Sequence, residues 1–395
     1  MLRNNPYNPH HVLLTGGTGY VGILLIACIL QNPHIESLIL LVRRNPEEDF
    51  WKAIDREMKS VGPIDKEKAI KRIKLIKYDD FIVLDNALID DQIGKYEIDT
   101  IIHAAGCLDY FDRLKLEDGN IVLTEKILEL GKKINIRRFI YISTAYSAGY
   151  TNGCIPEHRL EDSLCDPTAY TFTKRIAETR IADSGLPFVI IRPSILIGSH
   201  RDGYYSGKRY GLYQQWMGLE RLMLDRYHAE IHTVATHTPV NMIHQDVFQN
   251  SFDSILCWVP DGAYVNLVSS GNKSPTMRDL WALWVNIVRP KRVIYYNRFD
   301  DLDLKSIDIR QRAYLTFAQI NLEIASHYWQ FERGWLNALR SKGLHFKDTT
   351  LDSVSRCLKT FIRNSFALRN YQEKYGYCFS DNIQIVEPSS KQRSD

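Results

Sequence analysis

The stretch LLTGGTGYVG, residues 13–22, constrains this chain more than any other. An apolar run leads into three glycines spaced three apart, Gly16, Gly19 and Gly22, and a second apolar run follows. That pattern calls for a strand, a tight turn and a helix in immediate succession. In a dinucleotide site each glycine has its own reason. Gly16 permits the sharp turn off the strand, Gly19 lets the backbone approach a pyrophosphate, and Gly22 lets the helix pack closely on the sheet. The phosphates would sit at the helix N-terminus, where free N–H groups point at them. The candidate contacts of this loop are Thr15, Gly16, Gly19, Tyr20, Val21 and Gly22. A glycine loop alone also serves as a plain turn, so the rest of the chain has to decide.

The rhythm of the following residues favours the first reading. SLILLVRR (37–44), IKLIKYDD, IDTIIHAAG, RRFIYISTAY and LPFVIIRPSILIG each run apolar and then break on charged, polar or small residues. Helical stretches lie between them at 47–60, 114–133 and 168–183. Buried apolar strands alternating with helices imply an α/β fold, a doubly wound parallel sheet covered on both faces. After residue 198 the rhythm changes. Residues 200–235 are rich in Tyr, Arg and His around one amphipathic stretch, YGLYQQWMGLERLMLDR. AYVNLVSS (263–270) reads as a last strand returning to the sheet, and 275–380 as mostly helical. The expected division is a dinucleotide-binding domain at 1–199 and 237–270, and a smaller, mostly helical substrate domain at 200–236 and 271–385. A polar tail, 386–395, is expected to be flexible.

Composition excludes some classes. The chain has 395 residues, is 45% hydrophobic and 25% charged, and carries a formal net charge of only +3. Nothing global points to nucleic acid, and the basic run KEKAIKRIK (66–74) reads as a solvated helix face. Seven cysteines without a C-x-x-C pair suit a reducing, cytoplasmic setting. No signal peptide is evident, and the apolar stretch 12–30 is interrupted by GGTG, which makes it a poor membrane span. Peripheral membrane contact stays open.

Three further features carry chemistry. An acid expected roughly 20 positions after the glycine loop would bind the ribose 2′-hydroxyl of NAD. Arg43 and Arg44 stand there instead, and a guanidinium suits the 2′-phosphate of NADP, Arg43 being the better placed. Tyr170 and Lys174 are spaced i, i+4, so a helix puts them on one face. A lysine cation beside a phenol lowers the pKa of the phenol and lets it exchange a proton near neutral pH. Ser143 and Thr144 follow a buried strand, at the sheet end where ligands lie in such folds, and a hydroxyl there can hold a carbonyl oxygen. His228, His232, His237 and His244 lack the H-E-x-x-H pattern and any cysteine pair, so no metal is expected.

The glycine loop, IIHAAG, YISTAYSAG, YTFTK and IIRPSILIG stand in the order and spacing of extended short-chain dehydrogenases/reductases, and residues 10–280 resemble that family. LLVRR, STAY, RPSILIG, VNMIHQDV (240–247) and SSGNKSPTM (269–277) are most similar to its thioester-reductase and fatty acyl-CoA reductase branch, the male-sterility type. Residues 327–362 are similar to the helical C-terminal domain of fatty acyl-CoA reductases. The resemblance implies a Rossmann sheet, NADP(H) as cofactor, and a thioester substrate on coenzyme A or an acyl-carrier protein. It implies Thr144 as the catalytic hydroxyl, with Ser143 as the alternative, Tyr170 as the acid, and Lys174 as its electrostatic partner and a ligand of the nicotinamide ribose. Pro193 and Ser194 match the segment against the nicotinamide, Asp79 the acid near the adenine, and His103, Ala104 and Ala105 the backbone lining the cofactor. Asn120 matches a helix asparagine. Lys208, Arg209, Arg221 and Arg226 could meet coenzyme A phosphates. Members of the family often pair as homodimers. A nucleotide-sugar epimerase or dehydratase, a ketone or aldehyde reductase, and a non-catalytic NADP-binding regulator are the alternatives.

Overall fold

A computed structural model describes residues 1–62, 65–78, 92–109, 112–151, 153–161, 163, 165–207 and 211–388. Among them one seven-stranded sheet runs in the order β3-β2-β1-β4-β5-β6-β7. Its strands are β1 His11–Thr15, β2 Ser37–Val42, β3 Ile73–Lys77, β4 Thr100–His103, β5 Arg138–Ile142, β6 Phe188–Pro193 and β7 Ala263–Leu267. Every neighbouring pair is parallel. β2 and β5 are buried along their whole length, which is why they read as unbroken apolar runs. The chain lays down β1, β2 and β3 in one direction, then returns to the other side of β1 with β4. The crevice at the carboxyl ends of β1 and β4 is therefore the topological switch point, where open sheets of this kind bind ligands.

Helices α1 (Tyr20–Gln31), α2 (Glu48–Val61), α3 (Leu123–Lys133), α4 (Ala169–Ala182) and α5 (Gln245–Trp258) belong to the same unit. On one face of the sheet the core is built from alternate residues of the strands, among them Leu13, Ile39, Ile101, Phe139 and Ile190, with Ile127 and Ile181 from α3 and α4. The residues between them, such as Leu14, Leu40, Ile102 and Ile140, are buried on the other face. The start of α4 is fixed locally. Thr168 accepts from the Thr171 N–H and the Thr171 hydroxyl accepts from the Thr168 N–H, a capping box that places Tyr170 in the first turn.

The chain divides into two compact units. One holds Met1–Ser194, Ile243–Val268 and Phe331–Lys347, the other Ile195–Met242, Ser269–Gln330 and Asp348–Asp395. The main departure from the expected boundaries is 331–347, which packs with the sheet rather than with the helical segment. Its Glu332 N–H donates to the Ile155 carbonyl, and Glu157 accepts from the Trp335 N–H.

The second unit has its own core, centred on Trp216, Trp281, Trp284, Tyr213 and Tyr371. It is less purely helical than expected. Glu230–Val234, Arg292–Tyr296 and Gln384–Val386 form a parallel three-stranded sheet with Arg292–Tyr296 in the middle. The polar tail therefore begins inside a strand, at Val386. Among the described residues no helix is long and apolar enough to cross a membrane.

Candidate active site

The glycine loop closes as its spacing demands. Gly16 sits at φ +72°, and the Gly19 N–H donates to its carbonyl at 2.9 Å. A Cβ on Gly16 would come within 2.5 Å of the Ala105 nitrogen, and one on Gly22 within 2.6 Å of the Gly17 Cα. Any side chain at either position would force the loop off β4 or α1 off the loop. Gly19 is the N-cap of α1 and offers no side-chain cap, and the first turn, which contains Tyr20, Val21 and Gly22, has no acid. The positive end of α1 therefore carries no acid of its own that would repel an anion. The Tyr20 hydroxyl donates to Gln245 Oε1 on α5 at 3.2 Å.

The adjoining strand end is braced by a buried relay. Thr15 Oγ1 lies 2.6 Å from His103 Nδ1 and accepts from the Ala105 N–H at 3.2 Å, while His103 Nε2 lies 3.0 Å from Thr124 Oγ1. Burial, aided by the nearby Lys174 charge, lowers the His103 pKa to about 3, so the imidazole stays neutral. It works as a strut joining β1, β4 and α3 beneath Ala104 and Ala105. Asn120, in a π-turn at Asp118–Val122, clamps the next peptide. Its Oδ1 accepts from the Cys107 N–H at 2.9 Å, and its Nδ2 donates to the Cys107 carbonyl at 3.3 Å and to Thr173 Oγ1 at 3.0 Å.

β5 delivers the hydroxyls. Thr144 is the buried N-cap of a single 3-10 turn, Ala145–Ala148, its Oγ1 accepting from the Tyr146 N–H at 3.4 Å. The neighbouring Ser143 donates its hydroxyl hydrogen to the buried Glu178 carboxylate. The two hydroxyls that the sequence left as alternatives therefore differ: the Ser143 proton is spent on an internal bond. Opposite stands α4, with Tyr170 half-buried and Lys174 buried. Lys174 Nζ donates to the Ile142 carbonyl at 2.7 Å and lies 4.2 Å from the centre of the Tyr141 ring. Burial pulls the Lys174 pKa down to about 7, against the pull of the Glu178 carboxylate.

Of the remaining candidates, Arg43 and Arg44 are exposed just past the end of β2, and Arg43 lies near enough to Tyr78 to oppose the rise that burial gives that phenol. Pro193 ends β6. Ser194 donates its N–H to the Leu267 carbonyl at 3.1 Å, and its buried hydroxyl has no partner among the described residues. Asp79, Lys208 and Arg209 lie outside the described residues. In the second unit Arg226 pairs with Asp308 and Arg221 lies over the Phe317 ring. His232 bonds Tyr296 and Glu230 from within a strand. Tyr213 and Trp216 are core residues. A side-chain-free glycine cradle, an acid-free helix N-terminus and a buried Ser194 hydroxyl with no partner among the described residues fit a dinucleotide.

Sequence reading did not single out Ser147, Glu178 or Arg192. The available signal was Glu178 itself, four residues past Lys174 in YTFTKRIAE.

Comparisons with known proteins bear on the family and the fold. A NAD-binding family model described as Male sterility protein matches residues 14–247. Fatty acyl-CoA reductase wat of Drosophila melanogaster is 25% identical over 304 residues, covering 65% of this chain and 58% of that protein. The dTDP-D-glucose 4,6-dehydratase of Dictyostelium discoideum is 26% identical over 262 residues, covering 62% of this chain and 55% of that one. The chain thus spans little more than half the length of these curated relatives. The solved terminal R domain from the myxalamid PKS-NRPS biosynthetic pathway superposes with a TM-score of 0.71 at 19% identity, covering 91% of this chain and 92% of that one, a likeness of fold.

Proposed function

Because this chain belongs to the male sterility family of NAD-binding proteins, in the thioester-reductase and fatty acyl-CoA reductase branch of the extended short-chain dehydrogenases/reductases, we propose that it is an NADPH-dependent reductase of thioester-activated acyl groups. The observation that supports this reading is Thr144 standing as an N-cap just past β5, with Lys174 of α4 bonded to the Ile142 carbonyl at the end of that strand and Tyr170 one turn before it on the same helix. When bound, NADPH supplies the hydride that reduces the substrate carbonyl carbon.

The chain's own residues do the rest. The loop from Thr15 to Gly22 holds the pyrophosphate, Arg43 with Arg44 the 2′-phosphate, and the Pro193–Ser194 segment the nicotinamide. Thr144 and Tyr170 donate hydrogen bonds to the carbonyl oxygen, where negative charge builds up. Tyr170 Oη gives its proton to that oxygen, and the Lys174 ammonium stabilises the phenolate left behind. The hemithioacetal so formed collapses to an aldehyde and a free thiol, of coenzyme A or of a carrier protein. A second round on the aldehyde gives an alcohol.

The test is NADPH oxidation with long-chain acyl-CoA, an acylated carrier protein, simple aldehydes and nucleotide sugars. Thioester turnover is expected, and Tyr170→Phe should lower it about 10²–10⁴-fold. Arg43→Ala should weaken NADPH about 10-fold or more while leaving NADH nearly unchanged. Turnover of a nucleotide sugar alone, with NAD co-purifying, would favour the reaction of the dehydratase relative and overturn this reading.

A further inference from the structure

A third polar residue lies in line with the two that the proposed reaction uses. Tyr170, Lys174 and Glu178 are spaced four apart on α4, along one face of the helix. Glu178 is 2% exposed. It faces Arg192 of β6, whose Nη2 donates to Oε2 at 2.6 Å and whose Nε donates to both oxygens at 3.1 and 3.2 Å. Arg192 is held in turn by the Pro156 and His158 carbonyls. The other carboxylate oxygen, Oε1, accepts from Ser143 and, at 2.9 Å, from Ser147 Oγ. Those serines bracket Thr144, one before it and one three after. Ser147 Oγ also lies 2.9 Å from the Thr144 carbonyl, so its one proton is shared between the two acceptors. A single carboxylate on the helix of Tyr170 and Lys174 thereby grips the strand end on both sides of Thr144.

A buried ion pair is a weak source of stability, because desolvation cancels most of its attraction. Its best-attested use is to fix one arrangement over its neighbours. We propose that Glu178 is a positioning residue: with Arg192 behind it, it sets the place of the Thr144 hydroxyl relative to Tyr170 through Ser143 and Ser147. This rests on the reaction proposed above.

The charged and titratable groups facing this cluster are Arg192 on β6, Tyr141 on β5, Tyr264 on β7, Lys174 and Tyr170 on α4 itself, and Arg175 of α4, which donates to the Ser147 carbonyl at 3.0 Å and pairs with Asp166. His103 on β4 lies beyond, next to Lys174. The Glu178 carboxylate favours the charged form of Lys174, so its loss should weaken that cation as well.

The experiment uses Ser143→Ala, Ser147→Ala, their double variant and Glu178→Gln in the full chain. The serine variants leave the Glu178–Arg192 pair intact and so remain informative if Glu178→Gln does not fold. The double serine variant should lose about 10- to 100-fold in kcat, with KM and the NADPH Kd within about two-fold, as expected for an oriented group misplaced without loss of binding. Glu178→Gln should lose kcat similarly and move the alkaline limb of its pH profile down by about one unit. In a crystal structure of the double serine variant, Thr144 Oγ1 should shift relative to Tyr170. An unchanged kcat in the folded double variant, a parallel loss of NADPH affinity, or an unmoved Thr144 would each overturn the proposal. If the wild-type protein reduces no thioester, the reaction reading falls, and the Thr144 displacement decides this one separately.

Discussion

Lys174 sets chemistry against stability. Burial lowers its pKa to about 7 in the folded protein, whereas an unfolded lysine titrates near ~10.4. Between those values the unfolded chain holds a proton that the native protein lacks, so stability rises with pH across that window. Below pH ~7 both states are protonated, and the fold carries the whole cost of an ammonium in a dry site. Lys174→Met should therefore stabilise the protein most below neutrality, by about 2–4 kcal/mol once the lost bond to the Ile142 carbonyl is allowed for. The gain should vanish towards pH ~10, and turnover should be lost at every pH. Urea unfolding at about pH 6.5 and about pH 9.5 checks the sign; an equal gain at both values would show that the effect is packing rather than charge. Neighbours of Lys174 follow the same logic: His103 avoids the penalty by staying neutral, and its two bonds to hydroxyls need no charge.

Elements were legible wherever burial made them repetitive. Six of the seven strands of the central sheet stood out as apolar runs, because parallel strands covered on both faces have no polar side to confuse the pattern. β3, at the edge, exposes Lys74, Leu75 and Lys77 and was legible by its place in the rhythm. α4 was legible through Tyr170 and Lys174, whose spacing has meaning only on a helix. The strands of the second unit were not. EIHTV and RVIYY mix polar and apolar residues over five positions each, and QIV is three residues long, so no periodicity could build up. The clamp on Thr144 was hidden for another reason: Ser143, Ser147, Glu178 and Arg192 come from three separate elements, and only the packed sheet brings them together. The return of 331–347 is non-local in the same way. Glu157, some 180 positions earlier in the chain, caps the helix Gly334–Leu339 by accepting from the Trp335 N–H at 2.9 Å, and its other oxygen accepts from the Asn266 N–H at 3.0 Å. Glu157→Ala strands both donors, at about 1–3 kcal/mol each. It should speed amide exchange at Trp335 and through 331–347 while leaving the amides of β1 and β5 protected. Unchanged exchange in that segment would mean that packing, rather than the carboxylate, holds it.

The hydrophobic cluster under α3 and α4 and the one in the second unit share no residue. The backbone crosses between the units after residues 194, 242, 268, 330 and 347, so neither unit is a continuous piece of sequence. Every described residue assigned above to cofactor binding or proton transfer nevertheless falls between Thr15 and Ser194, in one unit. Damage to the other core should then lower stability without changing how the cofactor is held. Trp216 makes the sharpest probe. It is fully buried in the second core, and its indole N–H has no hydrogen-bond partner among the described residues. Trp216→Ala removes a large buried side chain and should cost about 3–5 kcal/mol. Trp216→Phe keeps most of the apolar contact and removes an unsatisfied donor, so part of the lost packing is offset and the cost should be below about 2 kcal/mol. Both proteins, held well below their unfolding temperatures, should bind NADPH within about two-fold of wild type, while acyl-thioester KM is free to change. Cofactor affinity measured by fluorescence titration, set beside thermal unfolding, decides the matter. A fall in NADPH affinity that tracks the loss of Tm would show that the second core also shapes the dinucleotide site.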